Sequence, residues 1–244
     1  MPFMNAIRGA RERARAEITA AIKDEARRQL AREGAARLSL RAVARELGMV
    51  SSALYRYFPS RDDLLTALII DAYDAVGSAA ERALAAADRD APVTRWREVC
   101  GAVRRWALAH PHEYALIYGS PVPGYFAPQA TVAPASRVAL ALVVVARDAR
   151  AAGVLREPAV DEAVPVPPEA VAEDAVRLVE RLGIDLPAPV TAALVAAWAE
   201  LFGLIGFELF GHFNRLIDAR EEFFDHAVTR LAATVGLTDP PKEP

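Results

Sequence analysis

A single cysteine, Cys100, stands in 244 residues, which excludes an internal disulfide framework and fits a reducing compartment. Period-two alternation of the kind a strand needs is missing, so sheet architectures are set aside. The first 20 residues are Arg-rich and hold no apolar core of a secretory leader; no signal peptide is expected, and the expected location is cytoplasmic. Gly-rich phosphate loops between a strand and a helix are missing as well, which removes the common nucleotide motifs. Histidine is scarce, at four residues. His110 and His112 are two apart, cannot face one way on a helix, and have no Cys or carboxylate at ligand spacing, so neither a metal site nor a cofactor is expected. Cys100 and His110, ten residues apart on one predicted helix, would be separated by about 15 Å of helical rise, too far for a thiol and its base. No catalytic residues are assigned.

What is present is apolar and helical. Hydrophobic residues make up 53% of the chain, with Ala, Leu and Val recurring at three- and four-residue spacing, and the predicted fold class is all-α. The formal net charge of −3 conceals an asymmetry. Residues 1–62 hold 13 Lys and Arg against 7 Asp and Glu, whereas the remainder holds 16 against 25. A basic end is what a phosphate-binding module requires, because its affinity comes largely from counterion release by Lys and Arg.

The basic end contains the most informative stretch, residues 39–58. Leu40, Val43, Ala44 and Leu47 form one apolar stripe of a short helix, with Ser39 at the N-cap position and Gly48 as its left-handed terminator. A second helix can begin three residues after Gly48, with Val50, Leu54 and Phe58 recurring at spacing four to bury one side and Pro59 stopping it. Helix, tight turn and short helix make a helix-turn-helix, whose second member lies in the major groove of DNA. Two short helices joined by glycine also occur in helical proteins of any function, so the outward side carries the distinction. It bears Ser51, Ser52, Tyr55, Arg56 and Tyr57, donors suited to phosphate or base edges rather than the Glu and Lys of a solvated face.

The rest of the chain organises around that module. A supporting helix is expected over residues 5–33; its arginines at 8, 11, 13 and 15 belong to a solvated face or to an arm reaching DNA. Ser60 caps a helix with Asp62 and Asp63 in its first turn, where the macrodipole favours anions. Arg61 runs against that dipole, and a nearby phosphate would supply its reason. The expected division is residues 1–62 for DNA binding, 63–90 as a connecting helix, 91–236 for ligand binding and dimerisation, and 237–244 as a disordered tail. A Pro-rich acidic loop is expected between Gly153 and Pro168. Residues 190–213, apolar and carrying Gly203, Gly206 and Gly211, pair with residues 219–235 as a four-helix dimer interface or as the core of a monomer. Glu200 and Glu208 argue against a membrane span there.

In order and spacing, Gly34, Leu38, Ser39, Val43-Ala44, Gly48, Leu54-Tyr55, Tyr57-Phe58, Pro59-Ser60-Arg61 and Leu64-Leu65 resemble the N-terminal domain of the TetR family of transcriptional regulators, over about residues 10–75. Trp106, the run from His110 to Tyr114, Tyr118-Gly119 and the glycine-rich helix near Trp198 resemble a C-terminal domain of a TetR subgroup named for its Trp, His and Gly positions. The resemblance implies an all-helical homodimer, a double-stranded DNA operator and a small-molecule effector, usually in a repressor. It implies phosphate contacts for Ser39 and Tyr55, with Tyr57 and Arg61 at further contact positions, and base reading by Arg41, Ser51 and Ser52. Arg56, and Ala53 against a thymine methyl, join those able to choose sequence. Val50 departs from the family, which has Ser there as cap of the recognition helix; Ser51 or Ser52 would then take over capping. Candidate effector-pocket residues are Trp106, Tyr114, Tyr118, Phe126, Phe202 and Phe207, all of which could equally be core. A helical binding protein without DNA function, and an enzyme using the apolar C-terminal pocket, are the rival readings.

Overall fold

The structure is a computed structural model that describes residues 2–156 and 168–239. Among the described residues there is no strand beyond one isolated bridge between Leu155 and Leu237, and the all-α expectation holds. The helices are α1 (Pro2–Glu33), α2 (Leu40–Glu46), α3 (Ser51–Leu54), α4 (Arg61–Ala86), α5 (Pro92–Ala109), α6 (Pro111–Tyr118), α7 (Val132–Ala151), α8 (Glu169–Leu182), α9 (Ala188–Leu209) and α10 (Arg220–Val235). Short 3-10 turns at Ala35–Arg37 and Gln129–Thr131 join them.

The chain forms two compact units, one of residues 1–73 with 110–132, the other of residues 74–109 with 133–244. This division differs from the expected boundary near residue 90. It falls inside α4, and it assigns α6 and the loop after it to the unit that holds the helix-turn-helix. The reason is packing that only the folded chain displays. Leu116, Ile117, Val122 and Tyr125 lie against the core made by Ile22, Leu38, Val43, Leu54, Leu64 and Leu68. Glu113 pairs with Arg27 of α1 at 3.2 Å, and the Tyr125 hydroxyl meets Thr66 Oγ1 of α4 at 2.9 Å.

In the second unit α5 packs against α9 and α10. Trp96 is fully buried and donates its indole N–H to the carbonyl of Val228 at 3.0 Å. Arg104 of α5 and Glu208 of α9 form two bonds of 2.7 Å each. Both side chains are largely buried, so either one alone would be an uncompensated charge. α9 is long and apolar enough to cross a membrane, yet α8, α5 and α10 pack on it and Glu208 has its partner there. α9 is a core helix of this unit. Arg137 of α7 binds Asp74, Ser78 and Glu81 of α4 across Gly77, where an added Cβ would stand 2.6 Å from that of Arg137.

Three local expectations are corrected. α3 ends at Leu54, and the chain continues to Phe58 in turns whose bonds run Arg56 to Ala53 and Tyr57 to Leu54, because Pro59 denies Phe58 a helical backbone. α9 ends at Leu209 rather than near residue 213, since Gly211 takes φ +79° and His212 bonds back to Phe207. The described part of the tail is packed: Leu237 is buried, Thr238 donates to the carbonyl of Val154, and Asp239 accepts from the N–H of Val93. Most of the loop expected between Gly153 and Pro168 lies outside the described residues, as do residues 240–244.

Candidate nucleic-acid interface

The helix-turn-helix is held from below by α1. Ile22, Ala26 and Leu30 supply its apolar stripe, and two polar residues share that buried side, Glu25 and Gln29. Gln29 accepts the N–H of Ser39 at 3.1 Å and donates to the carbonyl of Arg37 at 3.3 Å, fixing the chain where it enters α2. Burial acts to raise the pKa of Glu25, but hydrogen bonds and charge from Arg28 and Arg32 outweigh it and hold the carboxyl below its ordinary range. Sequence pattern could have found both residues: they occupy stripe positions three residues from Ile22 and Ala26.

Ser39 caps α2 as expected, its hydroxyl accepting the N–H of Ala42. Gly48 takes φ +64°, its N–H bonds to the carbonyl of Arg45, and that of Met49 to Ala44, the paired bonds of a Schellman terminator. Only glycine adopts that conformation without steric cost, so the turn angle between α2 and α3 depends on it.

α3 then begins at Ser51. Val50 stands at its cap in extended geometry, with no side-chain hydrogen bond, and is 70% exposed. Ser51 and Ser52 are therefore inside the first turn and neither takes over capping. Leu54 is buried completely and Phe58 nearly so. Opposite them Ser52 and Arg56 are exposed; Tyr55 is exposed on the flank with Ser51 half-buried beside it, and Arg41 is exposed on α2. Tyr57 is half-buried, with the Arg15 guanidinium of α1 5.2 Å from its ring centroid.

Arg61 departs from its expected setting. Its guanidinium donates to the carbonyls of Leu38 at 3.2 Å, Ala35 at 2.9 Å and Ala36 at 3.3 Å. A cation at the start of α4 opposes the dipole, but here it bonds the carbonyls of Ala36, Leu38 and Ala35, the last of which also accepts the N–H of Leu38, and needs no phosphate to explain it. Ser60 and Asp63 make reciprocal bonds at the same helix start, which restores the anion the dipole favours.

Two family models match the chain. One described as bacterial regulatory proteins of the tetR family covers residues 22–68, and one described as a tetracyclin repressor-like C-terminal domain covers residues 96–231. The chain belongs to the TetR family. HTH-type transcriptional regulators Rv1816 of Mycobacterium tuberculosis (strain ATCC 25618 / H37Rv) and Mb1846 of Mycobacterium bovis are each 41% identical to it over 236 residues, covering 93% of this chain and 95% of the relative. The solved structure of a regulatory protein, SCO4313, is 33% identical with a TM-score of 0.71, covering 91% of this chain and 98% of that one. As a TetR-family member the chain is a DNA-binding transcriptional regulator, not an enzyme, and the helix-turn-helix is its DNA-binding element.

The effector-pocket candidates do not gather within either TetR-family unit. Tyr114 and Tyr118 belong to the first, where they meet each other at 5.3 Å and Tyr118 meets Tyr73 at 5.9 Å. Burial raises the pKa of all three phenols. Phe126, also in the first unit, is 89% exposed. In the second unit Phe202 is buried against Trp198, Phe207 is exposed beside His212 and Phe213, and Trp106 borders a groove of about 760 Å³ with Ala83, Ala102, Arg82 and Arg105. The assignment of α6 to the DNA-binding unit divides the set.

Proposed function

We propose that this regulator is a ligand-responsive repressor, acting in the cytoplasm, that binds a near-palindromic operator as a homodimer and leaves it when a small molecule occupies the second unit. The observation that carries the reading is the outward face of α3 and the turns that follow it. Ser52, Tyr55 and Arg56 are exposed while Leu54 and Phe58 anchor the segment in the core, so these side chains are open to meet DNA. Ser39 and Tyr55 serve phosphate, Arg41, Ser51, Ser52 and Arg56 serve base edges, and Tyr57 supports them from beneath Arg15. Arg61 acts on DNA only through the turn it clamps.

Dimerisation through α9 and α10 is supported by the apolar surface these helices leave open. Gly203, Leu204, Phe207, Phe213, Phe223 and Ala227 border a groove of about 500 Å³. An added Cβ at Gly203 would meet nothing within 4 Å, so a partner helix can approach closely there. Trp106 remains our candidate for effector contact because it borders a groove walled by small side chains with two arginines at its edge.

The test is a gel-shift against the DNA upstream of the gene, with Tyr55→Phe and Arg56→Ala beside the wild type, across a salt series. Steep loss of wild-type affinity with salt and weaker binding by both variants are expected. A wild type that binds random and upstream DNA alike would sink the repressor reading.

A further inference from the structure

The side of α1 that faces the core changes character along its length. Leu30, Ala26 and Ile22 are buried, Ile18 is 36% exposed, and the same helical stripe continues as Arg15 and then Arg11. Steps of three and four residues connect all six, so one face is apolar where protein covers it and cationic where protein does not. Residues 11–18 are all exposed although they are helical. From Ile22 to Arg11 the helix runs about 16 Å past the packed part. It leaves beside the end of the recognition segment: Arg15 donates to the carbonyl of Arg56 at 3.5 Å and covers Tyr57.

We infer that the N-terminal half of α1 is a second DNA-backbone contact, in which Arg11 holds phosphate outside the stretch read by α3 and Arg15 aligns this arm with Tyr57 and Arg56. The inference rests on the DNA-binding reading above and extends it to DNA flanking the recognised bases. The partner class follows from charge: arginines on a stripe that elsewhere packs inward fit a polyanion running past the module, and the phosphate backbone is the polyanion that the neighbouring Tyr55 and Arg56 face. Sequence specificity is not expected of the arm, since a phosphate contact positions the module without reading bases.

The experiment uses the full chain and a duplex enriched by selection from random DNA, in a long form and in a form trimmed to the enriched bases. Arg11→Ala keeps a good helix former at an exposed position and leaves the fold intact; Arg11→Glu adds repulsion. Wild type is expected to bind the long duplex several-fold more tightly than the trimmed one. Arg11→Ala is expected to bind the two alike, with a salt slope on the long duplex shallower by about 0.9 for each phosphate the arm no longer neutralises. Arg11→Glu is expected to lose affinity for the long duplex further while matching Arg11→Ala on the trimmed one. Wild-type slopes and wild-type length dependence in both variants would overturn the arm while leaving the helix-turn-helix standing. A wild type for which selection enriches no duplex would overturn the DNA-binding reading itself, and the arm with it.

Discussion

The Nε of Arg61, the first residue of α4, donates to the carbonyl of Leu38, the residue before the cap of α2, at 3.2 Å. One side chain thus joins the beginning and the end of the helix-turn-helix, and two further bonds to Ala35 and Ala36 tie it to the 3-10 turn that precedes α2. Arg61→Ala leaves these carbonyls to water and lets the entry to α2 loosen. The side chain is about one-third exposed, so the expected loss is modest, roughly 1 kcal/mol from the range for bonds to a charged group. Urea denaturation should show a lowered midpoint for Arg61→Ala, with DNA affinity falling alongside it. Lost affinity at unchanged stability would instead mean that Arg61 contacts phosphate directly.

Val50 offers the opposite experiment. It stands at the cap of α3 with φ −68° and ψ 138°, the extended geometry a cap requires, but cannot accept a hydrogen bond from the first turn. Being 70% exposed, it has little burial to lose. Val50→Ser is expected to stabilise the fold by about 1 kcal/mol, read as a raised urea midpoint. A midpoint equal to wild type would show that the α3 N–H groups are already satisfied by solvent.

These two residues also mark what the sequence could disclose. Ser39, Gly48 and Pro59 act through their own backbone neighbourhood, so their roles were legible at once from spacing. Arg61 was legible only as an anomaly, because its partners lie 23 to 26 residues away and helix-dipole reasoning has no view of them. The three- and four-residue apolar spacing was visible as helical period. Which stripe meets which was not visible, and that is why α6 was placed with the sensor although Ile117 and Tyr125 pack on the helix-turn-helix. The aromatic set divides for the same reason: Tyr114 and Phe202 share a spacing signature with pocket residues but each is buried in a different unit.

Glu25 predicts an acid dependence. Its carboxyl is held below the ordinary range by Arg28 and Arg32 against the opposing effect of burial. A group whose folded-state pKa is depressed contributes stability above its unfolded value, and that contribution is lost as pH falls through the folded value. The expected loss therefore lies in the acid range, below about pH 4.5, and not near neutrality. Glu25→Gln should reduce the difference between urea midpoints measured at neutral and acid pH, while lowering the neutral midpoint because Arg28 and Arg32 lose a charged acceptor. An acid slope identical to wild type would show that protonation of Glu25 is not coupled to folding.

Gly203 tests the dimer without disturbing the protomer. Space is open around a side chain added there, so Gly203→Leu should leave folding of the second unit intact and raise helix propensity in α9 by up to about 1 kcal/mol. The same side chain projects from the face where a partner α9 would approach, between Leu204 and Phe207 on the bordering surface. Sedimentation is expected to show dimeric wild type, and a Gly203→Leu chain shifted towards monomer with a thermal midpoint that no longer rises with protein concentration. Phe207→Glu, at a position 54% exposed in the protomer, should do the same by placing a carboxylate in the interface. Both variants should also lose operator affinity, because a near-palindromic site is bound by two recognition helices at fixed spacing. If both remain dimers with wild-type affinity, the contact surface is not the α9 and α10 face, and the open groove there must serve another occupant.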